Sequence, residues 1–241
     1  MKEKELVLKE VMAALECEPK IDLHHYPITV DFATGILTLE GNVKDIAAKK
    51  LALEAGAALA SVTGIVDRLK VVAAEHMTDE VILEHVRDAL VQEPALSNCA
   101  LKLRRANEQQ VIREPPTDSK AAIEITLQNG DVLLEGQVPG LSHKRLAGVL
   151  AWWVPGTQNV LNCLIVEPAE EDNDYEMTDA LRLVLEKDPF VNADQIRVIA
   201  RNRTVTLDGL VANETESEIA EHDAWYVFGV DKVVNNLEVR Q

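Results

Sequence analysis

The chain repeats itself, and the repeat limits the folds open to it. Three glycines, Gly41, Gly136 and Gly209, anchor the same pattern. Thirteen residues before them stand Ile28, Ile123 and Ile196, and two before stand Leu39, Leu134 and Leu207. Two after stand Val43, Val138 and Val211; twenty-eight after, Leu69, Leu164 and Leu237; thirty after, Val71, Val166 and Val239. Twenty after stand Ser61, Gly156 and Gly229, and only Ser61 breaks that column. The offsets hold without a gap, so one module is used three times.

Within each module the pattern reads helix, strand, strand, helix, strand. Residues 4–16 carry Leu6, Leu8, Val11, Met12 and Leu15 at helical spacing. Glu18-Pro19 ends that run, because proline biases its predecessor out of the α region. The first strand pair turns at Thr34-Gly35, and Leu37 and Leu39 share a face. A second helix follows from about Asp45 to Ala60. Its inward positions are Leu51, Ala52, Ala55 and Leu59, which recur as Leu146, Ala147, Leu150 and Val154. In the third module they are Ile219, Ala220, Asp223 and Val227, with Asp223 a misfit expected at the edge of that face. The second module opens at Met77-Thr78-Asp79, with Thr78 as N-cap, and the third reads as opening alike at Met177-Thr178-Asp179.

The expected boundaries are 1–75, 76–168 and 169–241, with the acidic run Glu170-Glu171-Asp172-Asn173-Asp174 as the linker before the third module. The middle module carries an insertion at about 95–120. There Ala100-Leu101-Lys102-Leu103 competes with Ile123-Glu124-Ile125 for the first-strand position. Both are expected to be extended, with Glu114-Pro115-Pro116-Thr117-Asp118 as a turn or loop between extended pieces.

The chain has 241 residues and a formal charge of −17, distributed as −3, −4 and −10 over the three modules. Such acidity disfavours nucleic acid and bare anionic lipid as main partners, since both need a positive surface. Three cysteines, at 17, 99 and 163, occupy unrelated repeat positions, which argues against a disulfide framework and suits a reducing compartment. The N-terminal residues are charged and amphipathic rather than an apolar leader, and no apolar run is long enough to span a membrane. The expected location is therefore cytoplasmic.

The element order, the strand glycine and the closing pattern Gly229-Val230-Asp231-Lys232-Val233-Val234-Asn235-Asn236-Leu237-Glu238-Val239 resemble the BON domain, the bacterial osmotic-stress and nodulation domain. Gly156 to Val166 fits the same closing pattern, with Asn162 matching Asn235; the first copy departs, with Ser61 and Asp67. The resemblance covers nearly the whole chain as three copies. It implies an α+β fold of three tandem modules, each α-β-β-α-β with a three-stranded mixed sheet and two helices on one face. It also implies a non-enzymatic binding module, often tied to membranes, envelope maintenance or osmotic stress.

No catalytic, cofactor or metal set stands out. His24-His25 after Cys17 has no standard metal spacing, and Asp172, Asp174 and Glu176 lack the glycine and the closing glutamate of a calcium loop. The anchor glycines have no Gly-x-Gly or Gly-Lys-Ser/Thr nearby and read as room for a tight strand-to-helix turn. Trp152 and Trp225 share one repeat position, followed by Trp153 and Tyr226. They suit packing between modules, or a membrane or ligand contact. Lys102, Arg104 and Arg105 form the one basic cluster: a solvated hairpin, or a patch for an acidic surface or anionic head group. On the sheet face away from the helices the outer modules offer polar residues at three offsets where the middle one offers Leu133, Cys163 and Ile165. An apolar sheet back needs a cover. The insertion, another module or a second copy of the chain would supply it, making the middle module the hub. The expected function is a binding or scaffold protein, with stress- or envelope-related duties. The alternatives are a peripheral phospholipid-binding protein and a small-ion sensor.

Overall fold

The computed structural model describes residues 2–105, 108–114 and 119–240. It divides into two compact units, residues 1–72 and 73–241.

The first unit runs α1 (Lys2–Cys17), β1 (Ile28–Ala33), β2 (Ile36–Val43), α2 (Ile46–Ala57) and β3 (Gly64–Val71). β2 lies in the centre, antiparallel to β1 and parallel to β3. The antiparallel pair closes through Thr34-Gly35, both at positive φ (51° and 83°), the conformation whose twist matches a two-residue hairpin. The parallel pair needs a crossover, and α2 supplies it. Asp45 caps α2 by accepting from Ala48 N at 2.9 Å. Leu37, Leu39 and Leu69 are buried beneath the helices with Val7, Val11 and Leu15 of α1. Each such side chain contributes roughly 1.5–3 kcal/mol on burial. Leu6, read as part of the helical stripe, is exposed; the stripe runs through Val7 instead.

The second unit holds two further copies of this order. The first comprises α3 (Asp79–Gln92), β4 (Ala100–Arg105), β5 (Glu108–Arg113), β6 (Ala122–Gln128), β7 (Asp131–Val138), α4 (Leu141–Trp152), β8 (Asn159–Asn162) and β9 (Ile165–Val166). The second comprises α5 (Asp174–Lys187), β10 (Ile196–Arg201), β11 (Thr204–Val211), α6 (Glu214–Tyr226) and β12 (Lys232–Val239). In every copy the first strand pair is a hairpin with no helix inside it. The hairpins of the second unit turn at Asn129-Gly130 and Asn202-Arg203, again with both residues at positive φ. The first residue of the preceding helix pins each turn: Asp79 accepts from Asn129 N and Gly130 N, and Asp174 from Asn202 N.

Three expectations change. First, Met177-Thr178-Asp179 lies inside α5 and does not open it; the N-cap is Asn173, which accepts from Tyr175 N and Glu176 N. The acidic run is accordingly not a free spacer: Glu170 accepts from Leu141 N at 2.8 Å, Asp172 pairs with Arg145, and Asp174 begins the helix. Second, the middle sheet is wider than three strands. The insertion forms β4 and β5, which add edge to edge in the order β5-β4-β6-β7-β8, with β9 also on β7. Arg113 holds this addition in place by donating to Leu96 O, Cys99 O and Val91 O. Residues 100–103 and 123–125 are both extended, as expected, and 115–118 of the expected turn fall outside the described residues. Third, Asp223 does not sit at the edge of the inward face of α6. It is 2 % exposed.

The middle and third modules meet through α4, α5 and α6. Arg145 is fully buried there, donating from Nε to Phe228 O at 3.1 Å and from Nη2 to Asp172. Lys187 pairs with Glu93 at 2.9 Å, and Trp152 stacks on Tyr226 with ring centroids 5.6 Å apart. Trp153 Nε1 donates to Asp223 Oδ1 at 2.8 Å, while Asp223 Oδ2 has no hydrogen-bond partner among the described residues. Burial first, and then the neighbouring carboxylate of Asp188, push the Asp223 carboxyl up to about 8, against the hydrogen bond from Trp153.

The first module's sequence departures are coupled. Asn162 and Asn235 donate from Nδ2 to Lys144 O and to Ser217 Oγ, and each accepts from the backbone N–H two residues on. Asp67, at the same offset, keeps the backbone acceptor role toward Leu69 N but turns its other oxygen to the buried Lys49, 2.8 Å away. Lys49 is buried, but Asp67 reaches the surface and Lys49 also donates to Leu69 O, so removing the carboxylate costs on the order of 1–3 kcal/mol. Asp67→Asn should therefore destabilise residues 1–72 by about that amount, read as faster hydrogen exchange in β2 and β3. Lys49→Ser with Asp67→Asn, which imitates the third module, should recover a large part; a double variant as weak as Asp67→Asn alone would contradict the coupling.

The buried carboxyl between the second and third modules yields a pH prediction. The folded state holds a proton on Asp223 that the unfolded chain releases near 3.8, so folding binds a proton between pH 4 and 8. Stability from this group is greatest below pH 4 and falls as pH rises towards about 8. Asp223→Asn keeps an acceptor for Trp153 and has no proton to lose. It should raise the thermal midpoint most at pH 8, by an amount worth on the order of 2–5 kcal/mol, and least near pH 4. Parallel midpoint-against-pH curves for the two proteins would refute this.

Candidate functional site

The middle module carries the widest sheet among the described residues. Its inward positions, Leu101, Leu103, Ile123, Ile125, Val132 and Leu134, are all buried under α3 and α4. Strand alternation sends the intervening residues to the opposite face. These are Lys102 and Arg104 on β4, Glu124 and Thr126 on β6, Leu133 and Glu135 on β7, and Leu161, Cys163 and Ile165 along the last strand. The register confirms the neighbours: Leu133 lies opposite Leu161, Gln137 opposite Ile165, and Lys102 opposite Glu124.

The insertion does not cover this face. It extends the sheet in its own plane, since β4 hydrogen-bonds to the free edge of β6 rather than folding over β7. Ile165 is 65 % exposed, Leu161 47 %, Cys163 is exposed and Leu133 half-buried. Leu161 was not singled out in the sequence, although its i, i+2, i+4 spacing with Cys163 and Ile165 carries the signal. The strand on which they sit is also an edge: β8 and β9 pair with β7 and with no further strand among the described residues. An apolar edge of this kind invites a partner.

The eight residues singled out in the sequence thus separate. Leu133, Cys163, Ile165, Lys102 and Arg104 share the open face. Arg105 points to the helix side, where it pairs with Glu84 and Glu80 of α3 and lines a groove of about 510 Å³ with Leu83 and Leu127. Lys102, Arg104 and Arg105 therefore do not form one basic patch, because alternation splits the run. Arg104 is neutralised by Glu124, whose carboxyl is held below its usual range by that guanidinium, with help from Gln109. Trp152 and Trp225 lie away from the open face; Trp152 stacks on Tyr226 and Trp225 is buried.

The other chemical candidates have local uses. His25 Nδ1 lies 2.6 Å from Asp22, whose carboxyl is lowered by hydrogen bonds from the following turn. Among the described residues no group of three or more His, Cys, Asp or Glu is placed to hold a metal ion. All three cysteines are free, with Cys99 buried and its thiol pushed up by that burial. No described helix is long and apolar enough to cross a membrane. The anchor glycines do not make the strand-to-helix turn. Each sits within β2, β7 or β11, opposite Ile28, Ile123 or Ile196 at the start of the neighbouring strand.

The repeated module has counterparts among known proteins. The BON domain family model matches residues 7–73, 78–168 and 173–241. A curated relative, the outer membrane lipoprotein DolP of Haemophilus influenzae, is 31 % identical over 131 residues, spanning 53 % of this chain and 67 % of that protein. Among solved structures, the C-terminal domain of CdsD, a structural protein of the type III secretion system of Chlamydia trachomatis, aligns over 98 % of this chain and 97 % of its own. Its sequence identity is 16 % and its TM-score 0.25, so that likeness carries no argument. The chain belongs to the BON domain family, as three tandem copies.

Proposed function

We propose that this chain is a non-enzymatic binding or scaffold protein whose middle module is the hub, docking a protein partner or a second copy on its open sheet face. The observation that carries this reading is the contiguous apolar strip of Leu133, Leu161, Cys163 and Ile165 on an unpaired sheet edge. The corresponding face of the outer modules carries Thr38, Arg68 and Lys70, or Thr206, Asn236 and Glu238. A polar face stays wet, whereas an apolar one gains by being covered. Family membership supports a binding role, and the name of the relative, an outer membrane lipoprotein, supports an envelope-related one. Stress-related duty rests on the family resemblance alone. For location we keep the cytoplasm, supported by three free cysteines.

The second reading is a peripheral phospholipid-binding protein, which family membership favours. The pairing of Arg104 with Glu124 and the formal charge of −17 weigh against an electrostatic contact with anionic lipid through the open face.

Leu133→Asp with Ile165→Asp tests both. Hidden in an interface, each would contribute roughly 1.5–3 kcal/mol, so the pair should weaken association more than tenfold. Size-exclusion with light scattering on native extract should show the wild-type chain in a larger species that the double variant leaves, while circular dichroism shows an unchanged fold. Identical complexes for both proteins would refute the hub. Sedimentation with anionic liposomes but not neutral ones, lost in the same variant, would favour the phospholipid reading.

A further inference from the structure

The third module separates its charges in a way the other two do not. Residues 169–241 carry −10, yet the open face of their sheet is cationic. Alternation against buried Val198, Val205 and Leu207 sends Arg197, Arg201, Lys232 and Arg240 outward, against Asp208 and Glu238. All four cations are exposed, and none has an ion-pair partner among the described residues. Asp208 is occupied by Asn236, which donates to it at 3.0 Å. In the first module Glu40 and Asp31 take up Arg68 and Lys4, and in the middle one Glu124 takes up Arg104. Among the described residues the third module gathers four exposed cations without an ion-pair partner on its sheet back, around the half-buried Ile199 and Val234, where the middle module has Lys102 alone.

The complementary surface lies on the other side of the same module. α6 begins with Glu214 and places Glu218 one turn on, both exposed and neither ion-paired among the described residues. Beside them runs an open groove of about 780 Å³ between α6 and the Pro189–Asn192 loop, with Phe190 74 % exposed at its rim. The exposed Glu214 and Glu218 suit a guanidinium-bearing surface, which pairs with the acids, and the exposed Phe190 offers a ring for such a group to stack on.

The geometry points to a second copy of this chain as the occupant: the acidic α6 shoulder of one copy docks on the cationic sheet back of the next. The two surfaces lie on opposite faces of one module, so the contact is head-to-tail and propagates instead of closing as a two-fold dimer. It uses neither the strip nor the edge of the middle module and stands independently of that face.

Charge reversal tests this on the full chain. Arg197→Glu with Arg201→Glu should abolish self-association in sedimentation velocity, and so should Glu214→Lys with Glu218→Lys, each with an unchanged circular dichroism spectrum. Mixing the two variants one to one should restore it, because each then presents a complementary face to the other. The wild type should show a sedimentation coefficient that rises with concentration. A wild type that stays monomeric throughout, variants that associate as it does, or a mixture that fails to recover would overturn the proposal. Wild-type binding to vesicles of anionic phospholipid, lost in the arginine variant without any self-association, would assign the face to lipid and overturn it too.

Discussion

Each module depends on two backbones approaching more closely than a side chain allows. At Gly41, Gly136 and Gly209 an added Cβ would lie 2.6, 2.2 and 2.1 Å from the carbonyl oxygens of Pro27, Ala122 and Gln195. The glycines stand at φ of 148°, 121° and 146°, a conformation that side-chain-bearing residues rarely adopt. The neighbouring strand enters its sheet across these points, so the register Ile28–Gly41, Ile123–Gly136 and Ile196–Gly209 is set there. A one-residue slip would turn Leu37 and Leu39, or their counterparts, from core to solvent. The rest of the module follows from that register, since both helices pack on the face it selects.

Shared geometry leaves individuality to the departures. Lys49 and Asp67 replace a neutral hydrogen bond with an ion pair whose lysine is buried in the first module. The insertion widens the middle sheet and leaves its back bare. Asp223 replaces an apolar residue, Ala55 or Leu150 in the other copies, where the third module meets Trp153 of the second. A neutral carboxyl can accept from the indole inside a low-dielectric contact, and an ionised one pays heavily for the same burial. The junction of these two modules therefore carries a pH dependence that their own cores lack.

Much of this was legible in the sequence because fixed offsets were available. The element order, the hairpin turn at Thr34-Gly35, the inward Leu37, Leu39 and Leu69, and the extended character of both 100–103 and 123–125 all follow from period and spacing. Other features are not local. The role of the anchor glycines depends on a carbonyl fourteen residues away. The start of α5 was obscured by a chance Met-Thr-Asp match, while the N-cap lay in Asn173. Lys102, Arg104 and Arg105 look like one patch in sequence, but strand alternation sends Arg105 to the other side. Asp223 reads as a misfit at the edge of the inward face until the neighbouring module closes over it. The candidate face itself was visible in Leu133, Cys163 and Ile165; that the insertion leaves it uncovered depends on which edge β4 selects.

If the open face of the middle sheet is occupied where the protein works, Cys163 is covered with it, because Cys163 stands on that face. Cys17 is also exposed, at the end of α1, and serves as an internal reference, while buried Cys99 reports unfolding. Alkylation rates at the three thiols should be compared between purified, dilute protein and native cell extract. Occupation of the face should protect Cys163 severalfold in extract while Cys17 keeps its rate and Cys99 stays unreactive. Equal rates at Cys163 in both settings would contradict it.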